Sequence, residues 1–596
     1  TLTRALRDGL GEATVAVARP RAAEAPVPVS DSGDACLVHG VAASPGLAVG
    51  RLRRKQGRVF DVSEQGQGEA KELGRLDAAL DRARQEIGAL RTGVGKKAEA
   101  GIFAAHLELL EDPELLNRVR EGIGQGRSAA FAWQEAYTAH ADLLAGLRND
   151  LLAQRADDLR DVGERVLGFL TGTARVQRAY SPESILVSRD LTPSDMAELD
   201  TKNIVGLCTV AGGATSHVAI LARSMGLPMM AGCGPRLLDL PEETPAILDA
   251  AGGCLRLDPT EREMGEHRHK MAENRARREM ELSAKDEPAV TVDGIRIEVA
   301  GNIGGVEEAE KCAAMGGDGV GLMRTEFVFM GRDTAPDEDE QAAIYTKVLQ
   351  AMGPDRPVVI RTMDVGGDKP LAYLPMDPED NPFLGERGIR VGLVRPELLR
   401  TQIRAILQAS AHGQPLVMFP MISRLEEFRQ ARAMVDEERE RLGVEPIPVG
   451  IMVETPAAAL LAEQFAREAD FFSVGTNDLT QYTLAMDRGH AKLAAHCDGL
   501  DPAVLTLIHR AAQAATAQGK WCGICGGLAG DAQAVPILIG LGVRELSVGL
   551  ASIPTVKAQV RTLSLSRCRE LASRALTLDS AARVRELCLK GCGKGF

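Results

Sequence analysis

The sequence predicts a multidomain α/β protein that ends in a (β/α)8 TIM barrel. Three observations carry that prediction. Eight short apolar runs follow one another between residues 296 and 553, with helix-like stretches between most of them. Residues 66–171 instead carry apolar residues at helical spacing, the pattern of a helical bundle. That block interrupts a third texture, at 37–65 and 172–258, where short apolar runs are parted by Gly, Pro and Asp.

Taken in chain order, residues 1–17 hold a short helical pattern, and ARPRAAEAPVPVSDSG after it has linker composition; together they set apart a linker segment, 1–36. In the helical block, Leu73, Leu76, Leu80, Ala83, Ile87 and Leu90 repeat at three- and four-residue spacing, the stripe of a packed helix. SILVS, NIVGLCTV, PAILDA and CLRLD read as strands of a small α/β domain. Residues 259–287 are charged and helix-forming, with Thr260 and Glu263 spaced as a capping box, and read as a solvated connecting helix. The barrel follows at 288–575, and 576–596 is set apart as a tail. Its eight strands are RIEVAGN, GVGLMRTE, PVVIRTMD, PLVMFPMI, PVGIMVET, FFSVGTND, WCGICGG and ELSVGLASI. A doubly wound sheet is the alternative, but no Gly-rich dinucleotide fingerprint appears.

Composition narrows the function. A chain of 596 residues suggests about four domains or subdomains. The net charge of −13 argues against nucleic acid and for a basic protein partner. No run of 18 apolar residues predicts a membrane span, and no signal peptide opens the chain. Eleven scattered cysteines fit a reduced, cytoplasmic setting. Cys522 and Cys525 form a CxxC, but no second CxxC completes a zinc site. The chain begins with Thr1, which reads as a fragment or a processed protein.

Barrel enzymes work at the C-terminal ends of their strands. Those ends carry Arg324, Arg361, Glu454, Asn477, Asp478 and Cys525, and Arg488 lies ten residues after Asp478. Arginines suit bidentate binding of phosphate or carboxylate. Glu454 and Asp478 are the hard oxygen donors Mg²⁺ prefers, and the set fits phosphoryl transfer. The competing reading makes these acids and arginines mutual ion pairs. Cys525 reads equally as a proton donor or nucleophile and as a small core residue. Residues 212–224, GGATSHVAILARS, place His217 at the start of a helix, after glycines that permit a tight turn and after Thr215 and Ser216, which can cap. A helix N-terminus stabilises phosphate and imidazole is a nucleophile near neutral pH, so His217 reads as a phosphate carrier as readily as a structural histidine.

GGATSHVAILAR, GLMRTEFVFMGR, VVIRTMDVGGDK, NPFLGERGIR, GIMVETPAA, FFSVGTNDLTQYTLAMDRG and CGICGGLAGD together resemble the enzyme I family of bacterial sugar phosphotransferase systems, the phosphoenolpyruvate–protein phosphotransferases. The resemblance runs from about residue 38 to about 575. It implies that His217 accepts the phosphoryl group on Nε2. Arg324, Arg361 and Arg488 would bind phosphoenolpyruvate, Asn477 and Asp478 would contact it, and Glu454 and Asp478 would hold Mg²⁺. Cys525 would protonate the enolate carbon to give pyruvate. The block 66–171 would dock the carrier protein HPr, the barrel would form a homodimer, and a large swivel would bring the phosphohistidine domain to the substrate. TLTRALRDGLG resembles the end of HPr itself, which implies a fused multiphosphoryl transfer protein of the fructose branch.

Three positions depart from the family pattern. Ala214 stands for a frequent Arg, and Gly527 for a frequent Glu two residues after the cysteine. Met196 stands for a hydroxyl residue near the active histidine, which puts in doubt how its tautomer is held. The other histidines read as structural or solvated: His39 before a turn, His267 and His269 in the connecting helix, and His106 at the surface of the helical block. A dikinase or synthase of the same family would need an upstream ATP-binding domain. A regulatory protein without turnover would not need the intact residue set.

Overall fold

The structure, a computed structural model, describes residues 36–55, 60–93, 97–145, 150–173, 180–197, 199–213, 216–366, 371–490 and 493–591. The helical pattern and linker read at 1–17 and beyond, and Ala214 and Thr215, lie outside the described residues. The chain forms two compact units, divided between Asn274 and Arg275.

The first unit is built on an eight-stranded mixed sheet in the order β1 (Leu37–His39), β8 (Cys254–Leu257), β7 (Pro245–Asp249), β3 (Leu47–Arg54), β4 (Ser184–Ser188), β5 (Ile204–Thr209), β6 (Met229–Ala231) and β2 (Val41–Ser44), with β3, β4 and β5 at its centre. Strand β3 pairs in parallel with β4, which pairs in parallel with β5. Parallel neighbours need a long crossover, and here the chain between β3 and β4 supplies one in the form of helices running from Glu69 to Thr171. Their packing obeys the stripe read in the sequence: Leu76, Leu80, Ala83 and Ile87 are buried, with Leu73 and Leu90 at the margin. Trp133 is fully buried and its indole N–H donates to the Gly163 carbonyl at 2.9 Å, so its burial leaves no donor unpaired.

The connecting helix spans Glu261–Ser283 and starts with the expected capping box. Glu263 Oε2 accepts from the Thr260 backbone N–H at 2.8 Å, and Thr260 Oγ1 accepts from the Glu263 N–H at 3.3 Å. Only Met264 is buried along it, beside Val49 and Ile247.

In the second unit eight parallel strands close into a barrel, β9 (Glu298–Ile303) through β16 (Glu545–Val548), with β16 pairing back to β9. Each of the eight runs read as a strand contributes one, so the mixed α/β class with a C-terminal barrel stands. A small interior cluster of Leu322, Val359, Leu416, Met418, Met452 and Phe471 fills the barrel, while the alternate strand residues pack outward against helices. The segment set apart as a tail at 576–596 is helical over Ala581–Gly591. Val584, Leu587 and Cys588 make a three- and four-residue stripe that packs on the barrel's outer core. Arg585 ties that helix down through Asp498 and Asp531, at 2.6 and 2.9 Å.

Candidate active site

In the first unit the chain leaves β5, turns at Gly212 with φ +90°, and enters the His217–Met225 helix. A side chain at that φ is strained, so glycine serves the turn. Ser216 caps the helix, its Oγ accepting from the Ala219 N–H at 3.2 Å, and the helix ends at Gly226 in the left-handed conformation. His217 is therefore the first helical residue, and its ring is part-buried.

What holds that ring comes from the Asp150–Thr171 helix. Asp158 Oδ1 lies 3.2 Å from His217 Nδ1 and 3.3 Å from His106 Nε2. Burial opposes ionisation of Asp158, but the hydrogen bonds from the two histidines overcome it and hold its pKa down at about 2. An ionised carboxylate only accepts, so the His217 proton sits on Nδ1 and Nε2 faces outward with its lone pair. The hydrogen bond to Asp158 raises the His217 pKa, against burial and the positive Arg155.

Two earlier readings change here. His106 is not a surface histidine: it is fully buried and braces Asp158 through the same oxygen, Oδ1, that His217 uses. Met196 packs in the core with Leu191, Val218 and Leu221, and Asp158 rather than a residue at 196 holds the tautomer. The signal lay in RADDLRDVGERV. Asp158, Asp161 and Arg165 recur at three- and four-residue spacing, all are buried, and Asp161 and Arg165 engage the Ser194 N–H (3.1 Å) and Oγ (2.6 Å). Charges on a buried helical stripe need partners.

The Asp158–His217 pair gives a pH signature. Asp158 is depressed from 3.8, so its contribution is complete above 3.8 and lost as pH falls through about 2. His217 is raised from 6.5, so its contribution is complete below 6.5 and lost as pH rises through its native value. The difference in thermal midpoint between the native protein and H217A is expected to peak in a plateau between pH 3.8 and 6.5 and shrink on both sides. A flat difference across pH 2–9 in calorimetry counts against the pair.

In the second unit the predicted residues converge at the C-terminal mouth of the barrel. Arg324 and Arg361 are register partners at the ends of β10 (Val320–Arg324) and β11 (Pro357–Arg361). Arg324 is exposed and has no ion-pair partner among the described residues. Arg361 is 5% exposed and already paired, touching Glu326 and, at 3.3 Å, Asp364. Burial opposes its charge, yet the carboxylates of Glu326, Asp364 and Glu454 push its pKa further up. The ion-pair reading thus holds for Arg361, but not for Arg324.

Glu454 follows β13 (Val449–Val453) and Asp478 lies in the Thr476–Leu484 helix. Glu454 Oε1 accepts from the Met421 N–H at 2.6 Å, while Oε2 is buried without a hydrogen-bond partner. Burial, then the charges of Asp478 and Asp364, push Glu454 up. Asp478 Oδ2 lies 3.6 Å from Arg488 Nη1. Asn477 accepts from the Gly527 N–H at 3.0 Å, so position 527 acts through its backbone and needs no side chain for that bond.

An orphaned carboxylate oxygen beside a second, repelling carboxylate is chemistry that a divalent cation relieves. No group of three His, Cys, Asp or Glu forms a metal cage among the described residues. The pair therefore suits an ion that takes its other ligands from substrate and water, as Mg²⁺ does.

Cys525 ends β15 (Cys522–Ile524) facing the barrel interior. Burial pushes its thiol up to about 12, against the nearby Ser473 hydroxyl and Arg361. It is held as the protonated thiol rather than the thiolate. Cys522 is likewise a free buried thiol. Two residues at this mouth were not singled out from sequence, Arg387 and Asp364. Arg387 is 1% exposed, grips Asp364 with two 3.0 Å bonds, and reaches Asp478 at 3.1 Å.

Three family signatures match the chain: "PEP-utilising enzyme, N-terminal" over residues 39–155, "PEP-utilising enzyme, mobile domain" over 180–253 and "PEP-utilising enzyme, PEP-binding domain" over 278–565. A multiphosphoryl transfer protein of Rhodobacter capsulatus is 47% identical over 92% of this chain and 67% of its own length. One of Xanthomonas campestris pv. campestris is 43% identical over 92% of this chain and 66% of its own. The chain spans about two thirds of both. A phosphoenolpyruvate-protein phosphotransferase of Geobacillus stearothermophilus is 41% identical over 92% of this chain and 96% of its own length. No described helix is long and apolar enough to cross a membrane.

Proposed function

Because the chain belongs to the phosphoenolpyruvate-utilising enzymes, in the phosphoenolpyruvate–protein phosphotransferase family, we propose that it moves the phosphoryl group of phosphoenolpyruvate to its own His217. From there the group passes to a histidine of an HPr carrier protein or domain, as the first step of sugar uptake by a phosphotransferase system, with pyruvate released.

The observation that carries this reading is the Asp158–His217 contact at 3.2 Å. It keeps the proton on Nδ1, leaves the Nε2 lone pair to attack phosphorus, and stabilises the charge that develops on the ring. At the barrel mouth, the unpaired Arg324 is the group to meet the phosphate, with Arg361 and Arg488 completing the positive wall. Asn477 and Asp478 contact substrate. Glu454 and Asp478 would hold Mg²⁺, which when bound would neutralise charge on the phosphate. Loss of the phosphoryl group leaves an enolate, and the Cys525 thiol gives its proton to the methylene carbon.

His217 and the barrel residues belong to different compact units, and the family relationship supports a swivel about the connecting helix as the motion that joins them. The helical block, 66–171, is the docking face for the carrier, and the barrel is the dimer contact. Both assignments rest on the family relationship. The multiphosphoryl transfer relatives support a place in the same kind of relay.

Incubation with phosphorus-labelled phosphoenolpyruvate and Mg²⁺ is expected to leave an acid-labile label on the native chain and none on H217A. Label on H217A, or none on either, overturns the assignment.

A further inference from the structure

Cys525 is 2% exposed. A thiol that gives up its proton there has to regain one, and the barrel interior beneath it contains a carboxyl group with no role so far. Glu545 opens β16 and is 4% exposed, with an Oε1 that finds no hydrogen-bond partner. The neighbouring strand places Gly523 in register with it, and Gly523 is in register with Ser473 of β14 (Phe472–Val474) on its other side. Gly523 has no side chain to separate them. A Cβ there would lie 2.8 Å from Glu545 Oε1, so the carboxyl occupies the space a side chain would fill. Ser473 is fully buried and its Oγ is also without a partner. Two buried polar atoms without partners thus flank Gly523, one on each neighbouring strand, an arrangement that a shared water satisfies.

Residues two apart on a strand face the same side, so Cys525 stands one layer above Gly523. The Cys525 thiol donates to the Val474 carbonyl at 3.5 Å, and the Ser473 hydroxyl, though not hydrogen-bonded to it, is near enough to favour its thiolate. Below lies the stacked pair of Phe471 and Trp521, with ring centroids 4.7 Å apart. On the other neighbouring strand Glu298 of β9 is the register partner of Glu545, at the N-terminal end of its strand and exposed.

On the reading of Cys525 as the acid, we propose that Glu545 is its internal proton source, acting through Ser473. Cys525 donates its proton to the enolate carbon, forming the C–H bond of pyruvate and leaving a thiolate. That thiolate takes the Ser473 hydroxyl proton as Ser473 takes one from the Glu545 carboxylic acid. The resulting Glu545 carboxylate recovers a proton from solvent past Glu298. Burial, with Glu298 beside it, raises Glu545 to about 8, which keeps it protonated at neutral pH. Glu545 touches no reacting atom and is a positioning residue for the proton.

The test runs the full chain with Mg²⁺, phosphoenolpyruvate and carbon-labelled pyruvate in heavy water. It compares carbon exchange between the two substrates with deuterium uptake at C3. In the native protein the two are expected to proceed together. In E545Q and in S473A carbon exchange is expected to stay within about threefold, because the same proton shuttles between carbon and sulfur, while deuterium uptake per exchange falls at least about tenfold. An unchanged ratio overturns the relay, and S473A decides alone if E545Q does not fold. C525A tests the underlying reading separately: native carbon exchange in C525A removes Cys525 as the acid whatever Glu545 does.

Discussion

Asp158→Ala is expected to slow phosphorylation of His217 by about 10²- to 10⁴-fold, the range for losing the group that orients a catalytic imidazole. Asp158 is the ionised acceptor at 3.2 Å from Nδ1. Without it the ring is free to carry its proton on either nitrogen and to rotate, and the nucleophilic lone pair is no longer directed outward. A purely structural role for Asp158 predicts something different: lost stability with a normal rate in the molecules that remain folded. Single-turnover labelling by phosphoenolpyruvate separates the two, together with NMR titration of His217. Its midpoint lies above 6.5 in the native protein and is expected to fall in the variant, because the hydrogen bond to Asp158 is the largest cause of the raised value. A native rate in D158A defeats the assignment. Substitution of His106, which touches Asp158 but not His217, is expected to have the same sign and a smaller effect.

Arg387→Met is expected to cost about 3–5 kcal/mol of barrel stability, the range for removing one partner of a buried ion pair. The size follows from what stays behind. Asp364 is fully buried and loses both bonds of its 3.0 Å grip, and Asp478 loses a 3.1 Å contact. Moreover, the charges that push Glu454 up, Asp478 and Asp364, are those Arg387 helps to neutralise. The double variant R387M/D364N is expected to recover part of the loss, since a neutral amide needs no counter-charge. Urea unfolding of the three proteins measures this, and a single-variant loss below about 1 kcal/mol would falsify the brace.

Much of the architecture was legible in the chain. Leu76, Leu80, Ala83 and Ile87 announce a packed helix through spacing alone, because side chains three and four apart share a face wherever the helix sits. The eight barrel runs were readable for a related reason: strands buried on both sides are near-continuous apolar segments. Thr260 and Glu263 form the expected cap because a capping box closes within four residues. The tail boundary failed at Ala581–Gly591, where the apolar stripe is only Val584, Leu587 and Cys588 and the fixing ion pairs reach back to Asp498 and Asp531.

The sequence by itself picked out the residues proposed for the chemistry: His217 at a capped helix start, and Arg324, Arg361, Glu454, Asn477, Asp478 and Cys525 at strand ends. These follow from local rules, namely spacing, capping and the place of strand ends in a barrel. Only the tertiary structure decided what each residue faces. Asp158 and His217 are 59 positions apart, Arg387 and Asp478 91 apart, and Gly523 is set between Ser473 and Glu545 on neighbouring strands. Hydrogen bonds and charge interactions act over a few ångströms in space, whatever the separation along the chain. The tautomer of His217, the pairing of Arg361 and the isolation of Glu545 therefore exist only once the chain has folded.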